Sequence, residues 1–191
     1  KQLEKRVEQL EKLLNVSKVE KKEKNENIEE YIDKVYQTIS EKYETFSLID
    51  DSDENGKLKT ILSTIKDIYN IEIDFFKSRK VLPAHTNMKK GNLEYSIGFL
   101  NLNGISFTSR LKNYTQFMIN FSNIHFRIFR DSRGDSIAKT GLELIKKFNQ
   151  KGKFIFMEKK DKTIFETFYQ VIEDYNNKDI DFELEEIIKS L

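Results

Sequence analysis

Cysteine and tryptophan are absent from this chain, proline occurs once, at Pro83, and histidine twice, at His85 and His125. Without cysteine there is no disulfide, no thiolate metal ligand and no thiol nucleophile, a composition that fits a reducing compartment. Two histidines leave little for acid–base or covalent chemistry near neutral pH and cannot assemble a zinc cluster. A glycine-rich phosphate loop and a dinucleotide fingerprint are also missing. No apolar run approaches the length needed to cross a membrane, and neither a signal-peptide pattern nor a prenylation motif is present. The expectation is a soluble cytoplasmic protein, nuclear in a eukaryote, with no cofactor, no metal and no membrane partner. The first residue is Lys1 and not methionine, which suggests that an upstream part has been removed.

What the chain does have is a stretch of polar and apolar alternation from Leu93 to Asp131. Ile105, Phe107, Ser109 and Leu111 alternate with Ser106, Thr108, Arg110 and Lys112, the period of a strand with one buried face. Asn103-Gly104 ahead of them is a strong hairpin signal, because both central residues of a type I′ turn need positive φ. The spacing therefore predicts strands at Tyr95 to Leu102, Ile105 to Lys112, Tyr114 to Phe121 and Ile124 to Phe129, forming a four-stranded meander. With the apolar set inward, the other face would show Arg110, Lys112, Tyr114, Gln116, Asn120, His125, Arg127 and Phe129. Cations for phosphates beside flat rings for bases suit single-stranded nucleic acid. The plain alternative is a solvated sheet face with a ring or two covered by a helix.

Charged residues make up 34% of the chain, high for a globular domain, and their net of +1 conceals a segregation. Residues 1–76 hold 13 basic and 18 acidic groups, 77–153 hold 15 and 4, and 154–191 hold 5 and 10. A basic block between acidic ends argues for a polyanionic partner or for association through opposite charges. At 191 residues there is enough apolar material for one packed domain and an extension.

The extension is read as residues 1–45. Leu3, Val7, Leu10 and Leu14 follow the a/d rhythm of a coiled coil. The seam fails across Ser17, Lys21 and Lys24 and resumes in shifted phase at Ile28, Ile32, Val35 and Ile39, a stutter or a break. A helical stalk that pairs with a second copy is expected, most simply as a parallel dimer, with a trimer as the other arrangement. An amphipathic helix folded back on its own domain is the alternative.

The domain proper is read as residues 46–191. Asp51-x-Asp53-x-Asn55-Gly56 matches the opening of a calcium loop, but its twelfth position is Leu62 where a bidentate glutamate is needed, so an acidic loop capping a helix from about Lys57 to Asn70 is preferred. Ile71 to Phe76 is β-branched and aromatic enough for a strand. Lys77 to Gly91, with Pro83 and His85, reads as a basic loop long enough to be functional. Beyond the meander, Asp135 or Ser136 is the expected N-cap of a helix to about Asn149, and Arg130 and Arg133 beside that N-terminus would make an anion site. A buried strand at Lys153 to Lys159 and a helix from about Lys162 to Tyr175 follow, and the acidic stretch from Asp179 to Leu191 ends the chain as a short helix.

Several short matches in this region resemble known motifs. Arg133-Gly134-Asp135-Ser136 has the form of an integrin-binding tetrapeptide, without other signs of an extracellular protein. Gly134-Asp135-Ser136 resembles the nucleophile block of the GDSL hydrolases, but both histidines lie upstream and the downstream histidine partner is missing. Ser136-x-x-Lys139 has the spacing of a serine–lysine dyad, as do Ser63 to Lys66 and Ser109 to Lys112 in this lysine-rich chain. Glu158-x-Lys160 is similar to half of the PD-(D/E)xK nuclease signature, but the other half would have to be Asp131 or Asp135, on the far side of a helix, whereas that fold puts its acids on a hairpin. In element order the chain resembles the RWD modules at the ends of coiled coils in kinetochore proteins and the PUR-like single-strand binders, an analogy that carries no motif.

The expectation is an α+β protein: a coiled-coil helix, then a domain with a four- to six-stranded, mainly antiparallel sheet and packing helices. It is expected to be a non-enzymatic homodimer that binds nucleic acid with low sequence specificity. Arg110, Lys112, Arg127, Arg130 and Arg133 would meet phosphates, and Tyr114 and Phe129 would stack on bases. The alternative is a scaffold of the RWD-like, chromosome-segregation kind whose basic face receives an acidic protein partner.

Overall fold

The computed structural model describes residues 27–76, 85–121 and 123–191. The first seam of the expected stalk, Leu3, Val7, Leu10 and Leu14, lies outside the described residues, as does Pro83. Helix α1 (Ile28–Lys42) starts at Asn27, whose side chain accepts from the Glu29 amide at 3.3 Å, and it keeps Glu29 and Glu30 in its first turn and Lys42 in its last, as the helix dipole favours. A 3-10 turn (Tyr43–Thr45) and an extended linker lead to α2 (Asp51–Tyr69). Asp50 caps α2 by accepting from the Ser52 amide at 2.7 Å. Asp51 and Asp53 to Gly56 are thus the first turns of a helix, which corrects the expected acidic loop and removes the calcium-loop geometry with it.

Strands β1 (Glu72–Phe76), β2 (His85–Lys90) and β3 (Leu93–Phe99) form an antiparallel meander. Most of the described part of the expected basic loop, from His85 on, is therefore strand β2, which turns into β3 over Gly91-Asn92. Helix α3 (Gly104–Asn120) then carries the chain to β4 (His125–Asp131), and α4 (Lys139–Phe148) carries it to β5 (Lys153–Met157); both of these strands are parallel to β3. The result is one mixed sheet of order β1-β2-β3-β4-β5. Helices α5 (Lys159–Asn177) and α6 (Leu184–Ser190) complete an α+β fold. No described helix is long and apolar enough to cross a membrane.

The sequence expectation fails most clearly at residues 105–120, which are one helix and not two strands. The apolar positions also satisfy a helical stripe: Phe107, Leu111, Tyr114, Thr115 and Met118 are all buried, at intervals of four, three, one and three. Gly104 does need positive φ, at 58°, but it spends that freedom on the entry to the helix and not on a hairpin. A crossover between two parallel strands requires a segment of this length. The four-stranded antiparallel meander, and with it the resemblance in order to RWD and PUR-like modules, is overturned.

Helices α3 and α4 cover one face of the sheet. Their core joins Phe107, Leu111, Tyr114 and Met118 to Phe126 and Ile128 of β4, to Ile145 and Phe148 of α4 and to Phe154 of β5. Helices α2 and α5 cover the other face through Ile61, Leu62, Ile65 and Ile172. Behind α5, Ile32 of α1 packs with Val171 and with Ile187 of α6, flanked by Ile28 and Val35. The Tyr31 hydroxyl donates to Asp174 across the same contact. The second seam of the expected stalk is therefore used within the chain. Ile32→Ala should cost about 2–4 kcal/mol in urea unfolding, to the same extent across a hundredfold range of protein concentration. A loss that varies with concentration would return this seam to a partner copy.

Candidate functional site

The two crossovers place the carboxyl ends of β3, β4 and β5 side by side, the region where open sheets with parallel strands form ligand clefts. Three loops meet there: 100–103, 132–138 and the single residue Glu158. Loop backbone left unpaired in such a place is costly, and two side chains pair it. The Asn101 side chain donates to Ile49 O at 3.0 Å and accepts from the Asp131 amide at 2.9 Å, while the Asn101 amide donates to Asp51 Oδ1. Arg130 is fully buried. Its Nη1 donates to Leu100 O at 3.0 Å and Leu102 O at 2.6 Å, and its Nη2 to Asn103 Oδ1 at 2.7 Å and Asp135 O at 3.2 Å. Gly134 is needed beside it, since a Cβ there would meet Arg130 Nη2 at 2.7 Å. Asn103 precedes α3, but its side chain caps nothing in the helix because the guanidinium has taken it. Ala138, not Asp135 or Ser136, is the N-cap residue of α4, and it has no side chain to cap with.

On the α2/α5 side Arg133 grips Asp131, with Nη2 to Oδ2 at 2.7 Å and Nε to Oδ1 at 3.0 Å. Its Nη1 reaches Tyr43 O and Phe46 O, and its guanidinium lies over the Tyr43 ring at 4.3 Å. Burial alone would raise the Asp131 pKa, but these bonds and the charge of Arg133 hold it below the usual carboxylate range. Asp51 goes the other way: burial pushes it up to about 6, and the neighbouring Asp50 adds to the effect against the Asn101 amide, Arg130 and Arg110. Deeper between α2 and α5, Lys162 is paired with Glu54 and lies 2.8 Å from Glu166, which Lys57 also meets at 2.6 Å. Burial raises the Glu54 pKa in spite of Lys162; at Glu166 burial acts in the same direction, but Lys162 and Lys57 outweigh it and lower the value.

Two cavities flank this clamp. One, of about 580 Å³, lies between the N-terminal ends of α3 and α4 and is lined by Arg130, Lys112, Ile105, Ile137 and Thr140 among others. The other, of about 400 Å³, lies under the linker between α1 and α2 and is lined by Phe46, Ile49, Arg133, Lys162 and Tyr169 among others.

The residues expected to form one basic face are divided. Arg110 and Lys112 lie on helix α3, Lys112 exposed and Arg110 half-buried near Asp51 and Tyr114. Tyr114 is 1% exposed in the core, with its ring edge-on to His85, and is placed to pack and not to stack on a base. Arg127 and Phe129 point to the α2/α5 side of β4, Arg127 over the Tyr95 ring at 5.7 Å and Phe129 against Phe99 at 5.8 Å. Arg130 and Arg133 are not brought into one anion site: Arg130 faces the α3/α4 side and Arg133 the α2/α5 side, each clamping the chain's own loops. Glu158 and Lys160 are exposed at the start of α5, while Asp131, the acid at the end of the adjacent strand, is held by Arg133, and no group of three or more potential metal-ligating side chains occurs among the described residues. The sequence reading missed Asn101, Asp51, Glu54 and Lys162. The only local signal for them was polar residues where a strand ends or a helix begins.

Asp51→Asn keeps an acceptor for the Asn101 amide and removes a buried charge. The Asp51 penalty is absent only well below the unfolded value of 3.8, where the group is protonated folded and unfolded; it grows as pH rises through that value and levels off above the folded value of about 6. The variant should be more stable than the parent by about 2–3 kcal/mol at pH 7.5, with the difference shrinking to a small fraction of that at pH 3.5. Equal differences at the two pH values in paired urea titrations would refute this. Lys162→Met should cost about 3–5 kcal/mol by stranding Glu54, and Glu54→Leu added to it should recover most of the loss; additive losses in the double-mutant cycle would refute the coupling.

Compared with family models, with curated proteins and with solved structures, the chain has no significant match to any of them.

Proposed function

We propose that the chain binds nucleic acid with low sequence specificity through the outer surface of α3 and α4. The observation that carries the reading is the division of charge between the two sides of the sheet. On α3 and α4 the only acidic residue is Glu143, whereas Lys112, Lys139, Lys146, Lys147, Lys151 and Lys153 are exposed on that layer and its border. Helices α1, α2, α5 and α6 together carry more acids than bases. A layer of one sign backed by a layer of the other orients the molecule in the field of a polyanion, and each phosphate neutralised releases counter-ions. The interface is a helical surface that includes Lys112 and Arg110; Arg127 and Phe129 lie on the far side of the sheet, and Tyr114 is buried in the core.

The test is fluorescence anisotropy of single- and double-stranded oligonucleotides between about 50 and 200 mM salt. Binding should weaken steeply with salt. Reversing Lys146, Lys147 and Lys151 to glutamate should weaken it at least tenfold and flatten the salt slope, while Lys42→Glu with Lys189→Glu, on the opposite layer, should leave it within about twofold. Absence of binding at the lowest salt, or equal losses from the two sets of reversals, would overturn the proposal.

A further inference from the structure

Strand β5 is an edge of the sheet, with β4 as its one neighbour among the described residues. Two contacts fix the direction in which it bonds. Met157 O accepts from the Ser132 amide at 3.1 Å, on the β4 side, and the Phe154 amide donates to Asn149 Oδ1 at 2.7 Å. Backbone groups alternate in direction along a strand, so Lys153, Ile155 and Met157 bond towards β4 while Phe154 and Phe156 turn theirs outwards. Asn149 covers the outward amide of Phe154, whereas the outward amide and carbonyl of Phe156 have no partner among the described residues. The one charge on the strand that would blunt such an edge, Lys153, stands at its start, clear of Phe156. Apolar side chains rim the same edge on both faces of the sheet. Phe156 is 40% exposed and lies on the α3/α4 face, two residues from the core residue Phe154. Leu142 of α4 is 47% exposed; Leu144 packs against the α3/α4 core, and residues two apart on a helix point about 200° apart, so Leu142 points away from α3, over β5. On the other face Ile164 of α5, 45% exposed, is two residues from both Lys162 and Glu166, which meet α2. It therefore points away from α2, which covers β1 to β3, and towards the β5 side.

We infer that this edge docks a second copy of the chain, β5 against β5 and antiparallel, about a two-fold axis that passes through Phe156 perpendicular to the sheet. Each Phe156 then donates its amide to the carbonyl of the other and accepts in return, and the Asn149 bond stays in place. Such an axis preserves the faces of the sheet, so α4 meets α4 and α5 meets α5 across it, and Leu142, Phe156 and Ile164 are each brought towards their counterparts. That is what selects a second copy over a lone peptide strand: a peptide added to the edge covers Phe156 but leaves Leu142 above and Ile164 below in water. The inference does not rest on the proposed function; the same axis puts the α3/α4 layers of both copies on one face of a continuous sheet.

The experiment is sedimentation equilibrium of the full chain over about a hundredfold range of concentration, which should show monomer passing to dimer. Phe156→Glu sets like charges at the axis and should weaken dimerisation at least tenfold. Leu142→Glu combined with Ile164→Glu, both on exposed helix positions, should do the same while the unfolding midpoint at the lowest concentration stays unchanged. Leu93→Glu, at an exposed apolar residue where β2 turns into β3, should leave dimerisation within about twofold. Because the chain has no cysteine, Phe156→Cys supplies a single thiol, and mild oxidation should link it into a covalent dimer that Leu93→Cys does not form. A chain that is monomeric throughout overturns the inference and leaves the edge to a strand from another protein. A dimer that survives either glutamate variant also overturns it and is held elsewhere, as through the seam at Leu3, Val7, Leu10 and Leu14. Equal weakening by Leu93→Glu overturns it as well.

Discussion

Three parallel strands that end side by side leave loop carbonyls and amides without ladder partners, and the fold depends on how Arg130 and Asn101 satisfy them. Arg130 fixes residues 100, 102, 103 and 135 with one guanidinium, and Asn101 fixes residue 49 and the end of β4. Because loop 100–103 leads into α3 and loop 132–138 into α4, these bonds set where both helices start. The cost falls on Asp51, whose carboxylate is buried by the same arrangement, and on the α3 N-terminus, which loses its cap.

The two sides of the sheet solve different problems. Between α2 and α5 the charges are internal: Glu54, Lys162, Glu166 and Lys57 neutralise one another, and Arg133 closes on Asp131 while holding the linker that precedes α2. Buried pairs of this kind define which residues face each other more surely than they add stability. On the α3/α4 side the core is almost wholly apolar and aromatic, so the lysines of that layer stay outside. That outward layer carries a net positive charge, whereas the buried Arg130 serves the loops at the strand ends.

Much of this was legible in the residues. Ile71 to Phe76, Tyr95 to Leu102, Ile124 to Phe129 and Lys153 to Lys159 read as strands from apolar alternation and short β-branched or aromatic runs, within a few residues of the strands at Glu72–Phe76, Leu93–Phe99, His125–Asp131 and Lys153–Met157, and α5 read as a helix from its apolar spacing. The segregation of charge was also plain, although not the layer that carries it. Residues 105–120 misled because Ile, Phe, Thr and Tyr favour strands locally, and only the crossover between parallel strands, a tertiary fact, decides for helix. Strand β2 was hidden because Asn87, Lys89 and Lys90 carry no apolar alternation. The site was less legible: Arg130 and Arg133 were expected to share an anion site beside a helix N-terminus, whereas they clamp different loops, and Asn101 and Asp51 matter only through partners about 30 and 50 residues away, which no local pattern shows.

The central claim is that the α3/α4 layer is the surface that meets nucleic acid. Hydrogen–deuterium exchange of the full chain, with and without a saturating single-stranded oligonucleotide, tests it most directly. The account predicts added protection in α3, in α4 and in residues 132–138, with the amides of α1, α2 and α6 unchanged. Protection on α1, α2 or α6, with none on α3 and α4, would contradict it.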